Sequence, residues 1–245
     1  MFPIHDDNPT ERTPVVTVAL IAACVLAFLW QASLGAQQGE MVIYSFGFIP
    51  AVFFDQAQLS PELAVIPPGA TLVSSMFLHG GLMHLAGNML YLWVFGNNVE
   101  DAMGHGRFVV FYLLCGTAAA FAQALPDPSS EIPMVGASGA ISGVLGAYLI
   151  LFPHARVFVL IPLGFVFLQT VPARWLLIFW FGFQLLSGLI ADPAEGGVAF
   201  WAHVGGFVAG MALIPFMKDR KFRARRAVRG SSRVPRIGRR SGPWS

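Results

Sequence analysis

The sequence predicts an all-α membrane protein built as a bundle of six transmembrane helices, and three observations lead there. Of its 245 residues, 56% are hydrophobic and only 11% charged, against roughly 25% charged in an ordinary soluble domain. Mean hydropathy is +0.65. That leaves too little polar surface to cover a water-soluble globule, which excludes a soluble enzyme or binding module. The second observation is a set of six apolar segments, and the third is the way charge divides between the loops that join them.

A spanning helix needs ~20 mostly apolar residues, and six segments qualify. The first runs from Pro14 to about Leu34, with Thr13 as N-cap and Pro14 at the first helical position. The others cover about 82–97, 108–125, 137–152, 173–190 and 198–217, the fourth stopping at Pro153. The first is not a cleaved signal peptide by its pattern. It is too long, and Asp6, Asp7 and Glu11 precede it in place of a basic region.

Charge sets the orientation. Eleven of the fifteen Lys and Arg residues lie between Lys218 and Ser245. With that tail cytoplasmic, six spans return the N-terminus to the same side, together with Arg12, Arg107, Arg156 and Arg174. The opposite loops carry Glu40, Asp55, Glu62, Asp127, Glu131, Asp192 and Glu195 and no basic residue, as the positive-inside rule requires. The expected organisation is a cytoplasmic segment over 1–13, a six-span domain over 14–217, and a basic, disordered cytoplasmic tail over 218–245. The tail follows directly on an apolar span, so its expected partner is anionic membrane lipid and not nucleic acid.

Two stretches are not spans. Residues 37–70 form a long external loop whose prolines (Pro50, Pro61, Pro67, Pro68) forbid one helix, so it is read as partly helical and interfacial. Residues 157–168 are apolar but short and broken by Pro162 and Gly164, and are read as a loop or interfacial segment. Cys24 and Cys115 lie in apolar runs without metal-ligand spacing and read as packed core residues.

Polar groups inside a bilayer are costly and point to function or packing. The second span carries His84 and Asn88, the fourth opens on Gly136-Ala137-Ser138-Gly139, and the sixth contains Ala202-His203-Val204-Gly205-Gly206. All three run inward. At 1.5 Å per residue His203 lies ~7–8 Å below Val198 and Asn88 ~9 Å below Leu82, on the same face as His84. Ser138 lies near the outer end of its span, so the four side chains share one shallow layer. Gly139, Gly143 and Gly146 on the fourth span, with Gly206 and Gly210 on the sixth, let the backbones approach closely.

A serine hydroxyl needs a base to take its proton, and neutral histidine suits that role. Ser138 as nucleophile and His203 as base form a candidate dyad, because no acidic residue lies in the outer half of any span. The start of the fourth helix, the Asn88 amide and a His84 ring N–H are candidate oxyanion donors. A bare helix cap at Ser138 and packing roles for the His and Asn residues are the bland alternatives.

The motifs Gly136-x-Ser138-Gly139, Ala202-His203-x-x-Gly206-x-x-x-Gly210 and His84-x-x-x-Asn88 preceded by His79 resemble those of the rhomboid family of intramembrane proteases. Gly96-x-x-x-Glu100-x-x-x-Gly104 and Phe46-Gly47-Phe48-Ile49-Pro50-Ala51 are similar to further family stretches, and the likeness runs from about Thr13 to Met217. The resemblance implies a six-helix bundle with Ser138 as nucleophile, His203 as base, and Asn88, His84 and the Ser138 N–H as the oxyanion hole. It implies structural roles for His79, Gly136, Gly139, Gly206 and Gly210, and hydrogen bonds from Glu100 that hold the inner turn. It also implies single-pass membrane proteins as substrates, cut near the outer membrane face, no cofactor or metal, and entry under the loop from Asp192 to Gly197. Two features depart from some members. No Trp-Arg pair stands at Gly69-Ala70-Thr71, and Ser142 occupies the place of an aromatic that stacks on the histidine. Another aromatic or glycine-tight packing is then expected to hold His203. A catalytically silent relative that binds membrane clients and a small transporter are the rival readings.

Overall fold

A computed structural model describes residues 2–163, 165–191, 197–219 and 222. The loop 192–196 and nearly all of the basic tail, including its proposed lipid contact, lie outside the described residues.

The chain begins with strand β1 (Phe2–Asp6) and helix α1 (Val15–Ser33). Thr13 was the expected cap of α1, but no side chain caps it locally. Its orphan N–H groups are satisfied from a distance: Val16 N and Thr17 N donate to the Glu100 carboxylate at 2.9 and 2.8 Å, and the Thr17 hydroxyl donates at 2.6 Å. A buried carboxylate at the positive end of a helix dipole is a strong substitute for a local cap.

The long loop is partly helical, with α2 (Ala36–Phe46), α3 (Pro50–Phe53) and α4 (Thr71–Ser74) separated by irregular chain. Helix α5 (Leu82–Met103) continues six residues past the expected end at Asn97. Its last polar residues find partners in the N-terminal segment: the Asn98 amide nitrogen donates to Asn8 O, Asp101 accepts from Glu11 N and Arg12 N, and Glu100 takes the bonds already described. Gly104, at φ +80°, makes the turn into α6 (His105–Ala124), and its N–H bonds Glu100 O.

Helix α7 (Ser138–Leu151) is the centre of the bundle, with every residue from Gly139 to Tyr148 buried. It packs on α5, α6 and α9 (Phe200–Met217), and α9 packs in turn on α6 and α8 (Ala173–Ile190). The core between them is aromatic: Phe95, Phe108, Phe111, Tyr112 and Tyr148 are fully buried. Large apolar side chains point outward on α1 (Leu26, Leu29) and α8 (Phe179, Phe183, Leu186). That distribution belongs to helices immersed in lipid.

Among the described residues, α1, α6, α8 and α9 are long and apolar enough to cross a membrane, and α7 is a shorter apolar helix. The fold is a helical membrane bundle, with one addition that the sequence reading missed. Residues 157–168 are not a loop. They belong to the hairpin of β2 (Arg156–Leu163) and β3 (Phe165–Pro172), to whose first strand β1 adds in antiparallel register. Alternation explains it: Val157 and Val159 are fully buried while Phe158 is exposed. Pro162 pairs with Val166 beside the chain reversal, where a missing N–H is tolerated. Asp6 ties the sheet to the bundle by accepting the Tyr148 hydroxyl of α7.

Candidate active site

Each element of the site is placed by local chain chemistry. Gly136 adopts φ +127° and its N–H bonds Ser75 O at 2.9 Å. An added Cβ there would lie 2.8 Å from His84 Cε1 and Nε2, so only glycine lets this turn pass the imidazole. Just upstream, Phe48 and Met134 exchange both backbone hydrogen bonds, fixing the Phe-Gly-Phe-Ile-Pro loop against the chain that leads into α7. Ser138 is the first residue of α7, and the Ser142 hydroxyl donates to its carbonyl at 2.6 Å.

Helix α9 crosses α7 backbone to backbone. A Cβ at Gly206 would overlap the Gly139 carbonyl oxygen, and one at Gly210 the Gly143 carbonyl oxygen. Gly139 meets the Ala119 methyl of α6 in the same way. This crossing sets the site's central distance: Ser138 Oγ to His203 Nε2 is 2.8 Å. The start of α9 is held by Gln123 of α6, whose Oε1 accepts from Ala202 N at 3.1 Å.

The pair faces a cavity of about 690 Å³ at the end of the bundle where α5, α7 and α9 begin, and His84, Asn88 and Trp180 also line it. Gly80 N donates to His84 Nδ1 at 3.4 Å, which leaves the other ring nitrogen, beside Gly136, to carry the proton. The Asn88 amide nitrogen is buried and finds no acceptor among the described residues. His79 is fully buried behind His84, edge-to-face at 5.2 Å, and its Nδ1 bonds Phe77 O. Burial, with the neighbouring His84, pulls the His79 pKa down to about 4, so its ring is neutral at physiological pH. Gln31 of α1 donates to His79 O at 3.2 Å.

Six of the sequence-derived positions (Ser138, His203, His84, Asn88, His79 and Gly136) therefore converge on one end of the bundle. Gly139, Gly206 and Gly210 form the crossing beneath them. Glu100 lies at the opposite end of α5, bonded to the start of α1 and, at 2.6 Å, to His105 Nδ1. Among the described residues no cluster of His, Cys, Asp or Glu could hold a metal ion. Two residues against the His203 ring were missed. Gln184 Oε1 is 2.7 Å from His203 Nδ1, and the Trp180 ring lies against the imidazole at 5.8 Å, tilted by 38°. The signal was present, since Gln184 is a lone amide in an apolar span. Trp180 supplies, from α8, the aromatic that Ser142 does not supply from α7.

A serine hydroxyl against an imidazole nitrogen, with the buried Asn88 amide and the exposed His84 ring beside one cavity, can supply an activated oxygen nucleophile and an anion-stabilising pocket. Fold and site together define a helical integral membrane protein with a Ser–His pair at one end of its bundle. The Rhomboid domain model matches residues 69–220, and the chain belongs to the rhomboid family. It is 31% identical over 206 residues to rhomboid protease GluP of Bacillus subtilis (strain 168), covering 82% of this chain and 35% of that protein. Similarity extends to RHOMBOID-like protein 5 of Arabidopsis thaliana (32% over 142 residues, 58% of this chain and 42% of that one). It extends also to the mitochondrial Rhomboid protein 1 of Saccharomyces cerevisiae (33% over 151 residues, 58% and 40%). The chain thus spans less than half the length of these three relatives.

Proposed function

We propose that the protein is an intramembrane serine endopeptidase acting through Ser138 and His203. The observation that carries this is the 2.8 Å contact between Ser138 Oγ and His203 Nε2 inside a membrane bundle. Ser138 Oγ attacks the scissile carbonyl carbon while its proton passes to His203 Nε2. The resulting oxyanion is stabilised by the Ser138 backbone N–H, the His84 ring N–H and the Asn88 amide. His203 then gives its proton to the leaving amine, and the acyl-enzyme is hydrolysed when His203 activates a water molecule. Every step uses the chain's own groups and calls for no cofactor.

Substrates on this reading are single-pass membrane proteins cut near the extracytoplasmic face of a bacterial inner membrane. Six spans, 14–217, form the catalytic domain. Both termini are cytoplasmic, and the basic tail 218–245 lies against anionic lipid. Helix length supports the depth. The 14 residues of α7 extend ~21 Å against a ~30 Å hydrocarbon core, so a helix anchored at the inner face starts several ångströms below the outer one.

A fluorophosphonate probe tests the proposal. Wild type in detergent or membranes is expected to label, Ser138→Ala not at all, and His203→Ala at a strongly reduced rate. A wild type that neither labels nor cleaves a panel of single-pass substrates would leave a client-binding relative as the better reading. Solute flux that persists in Ser138→Ala would favour a transporter.

A further inference from the structure

Given the protease reading above, we infer that Gln184 is a positioning residue that fixes the working tautomer of His203. A neutral imidazole carries one proton and can act as base toward Ser138 only if that proton sits on Nδ1 and leaves Nε2 bare. Which nitrogen is protonated is set by the hydrogen bond the other one makes. Here Nδ1 faces Gln184 Oε1 at 2.7 Å. An amide oxygen can only accept, so Nδ1 must donate. Nε2 is then free to accept from Ser138 Oγ at 2.8 Å.

Helix α8 holds the ring in a second way. Trp180 lies one turn before Gln184, on the same face of the helix, and its indole rests against the imidazole at 5.8 Å. The two residues restrain His203 from one helix: Gln184 fixes the ring's rotation and Trp180 closes its open side. Gln184 is only 7% exposed although Phe179, Phe183 and Leu186 of the same helix face outward. An amide placed among apolar residues is costly unless partnered, and among the described residues it meets His203. The base therefore takes its orientation from the fifth predicted span. Anything that displaces α8 at this level disconnects the base from its acceptor before the Ser138–His203 contact itself is broken.

The test uses the full chain in detergent with three readouts: fluorophosphonate labelling, kcat and KM on a single-pass substrate, and ¹⁵N NMR of histidine-labelled protein. Gln184→Leu keeps bulk and removes the acceptor, whereas Gln184→Glu keeps an acceptor at Nδ1. The expected result is a fall in kcat of ~10²-fold or more for Gln184→Leu with KM unchanged, since a wrong tautomer alone disables a Ser–His site. Gln184→Glu is expected to retain most of the rate. The His203 spectrum is expected to show Nδ1 protonated in wild type, a pattern lost in Gln184→Leu. A merely structural glutamine predicts otherwise: Leu and Glu variants equally impaired, a lowered melting temperature, and an unchanged tautomer. Wild-type labelling at the rate of Gln184→Leu would overturn the inference. So would an Nε2-protonated His203 in wild type, which needs no variant to fold. Failure of wild type to label at all would overturn the protease reading instead.

Discussion

Substituting Gly206 by Ala puts the α7–α9 crossing under direct strain. The new Cβ would overlap the Gly139 carbonyl oxygen, a backbone atom that cannot rotate away. Closest real approaches are near 3.0 Å, so relief requires roughly 1 Å of extra separation between the helices. Gly139 adjoins Ser138, and Gly206 lies one turn beyond His203. Most of that displacement is transmitted to the 2.8 Å Ser138–His203 contact, opening it toward ~3.8 Å, past the ~3.2 Å reach of general-base catalysis. A misplacement of this size costs ~10²-fold in rate, about 2.7 kcal/mol of transition-state stabilisation. Overpacking adds ~1–3 kcal/mol of instability, so kcat is measured on folded protein well below its melting temperature. Gly182→Ala is the control, because nothing lies within 4 Å of a Cβ there, and it should behave as wild type. Gly206→Ala retaining more than a third of wild-type kcat would refute the argument that backbone contact between α7 and α9 sets the catalytic distance.

Gly136→Ala attacks the proposed oxyanion pocket and leaves the Ser138–His203 pair in place. A non-glycine residue at φ +127° is strained by ~1–3 kcal/mol, and its methyl would press on the His84 ring at 2.8 Å. Fluorophosphonate labelling should slow by ~10²-fold, the usual cost of an oxyanion donor. The third prediction concerns pH at the opposite end of the bundle. Burial pushes the Asp6 carboxyl up from its ordinary carboxylate range to about 6. The folded state therefore holds this proton where the unfolded chain has lost it. The stabilisation is complete below about pH 4 and is lost as pH rises through about 6. Hydrogen exchange of the β1 amides should accelerate between pH 5 and 7, and Asp6→Asn should remove that part of the dependence.

The legible part of this fold was whatever one segment could express alone. Apolar length placed the helices, and a polar residue inside such a run identified His84, Asn88, Ser138 and His203. The glycine stripes on the fourth and sixth spans indicated which helices touch. What stayed hidden depends on partners far away in the chain. Val157 and Val159 alternate inward only because β1, some 150 residues earlier, supplies the neighbouring strand. The cap of α1 comes from Glu100, and no local pattern around Thr13 could have named it. The α5 helix outran its apolar stretch because residues 97–103 found partners in the N-terminal segment.

The odd-numbered spans held the other unread signal. Each carries a glutamine near the end where the site lies, and each glutamine reaches one element of that site. Gln31 of α1 donates to the carbonyl of His79, Gln123 of α6 accepts from the N–H of Ala202, and Gln184 of α8 meets the Nδ1 of His203. The choice of residue has a physical reason. A carboxylate behind His203 would orient the ring as well, but it would place a charge inside an apolar bundle, and desolvating an ion there costs several kcal/mol. An amide accepts the same hydrogen bond without a net charge. In the proposed mechanism it forgoes electrostatic help to the imidazolium that forms during attack, so the donors at His84, Asn88 and the start of α7 would supply most of the charge stabilisation. On the proposed protease reading, a bundle whose even-numbered predicted spans carry the reacting groups and whose odd-numbered ones hold them with neutral amides reconciles serine chemistry with a lipid solvent.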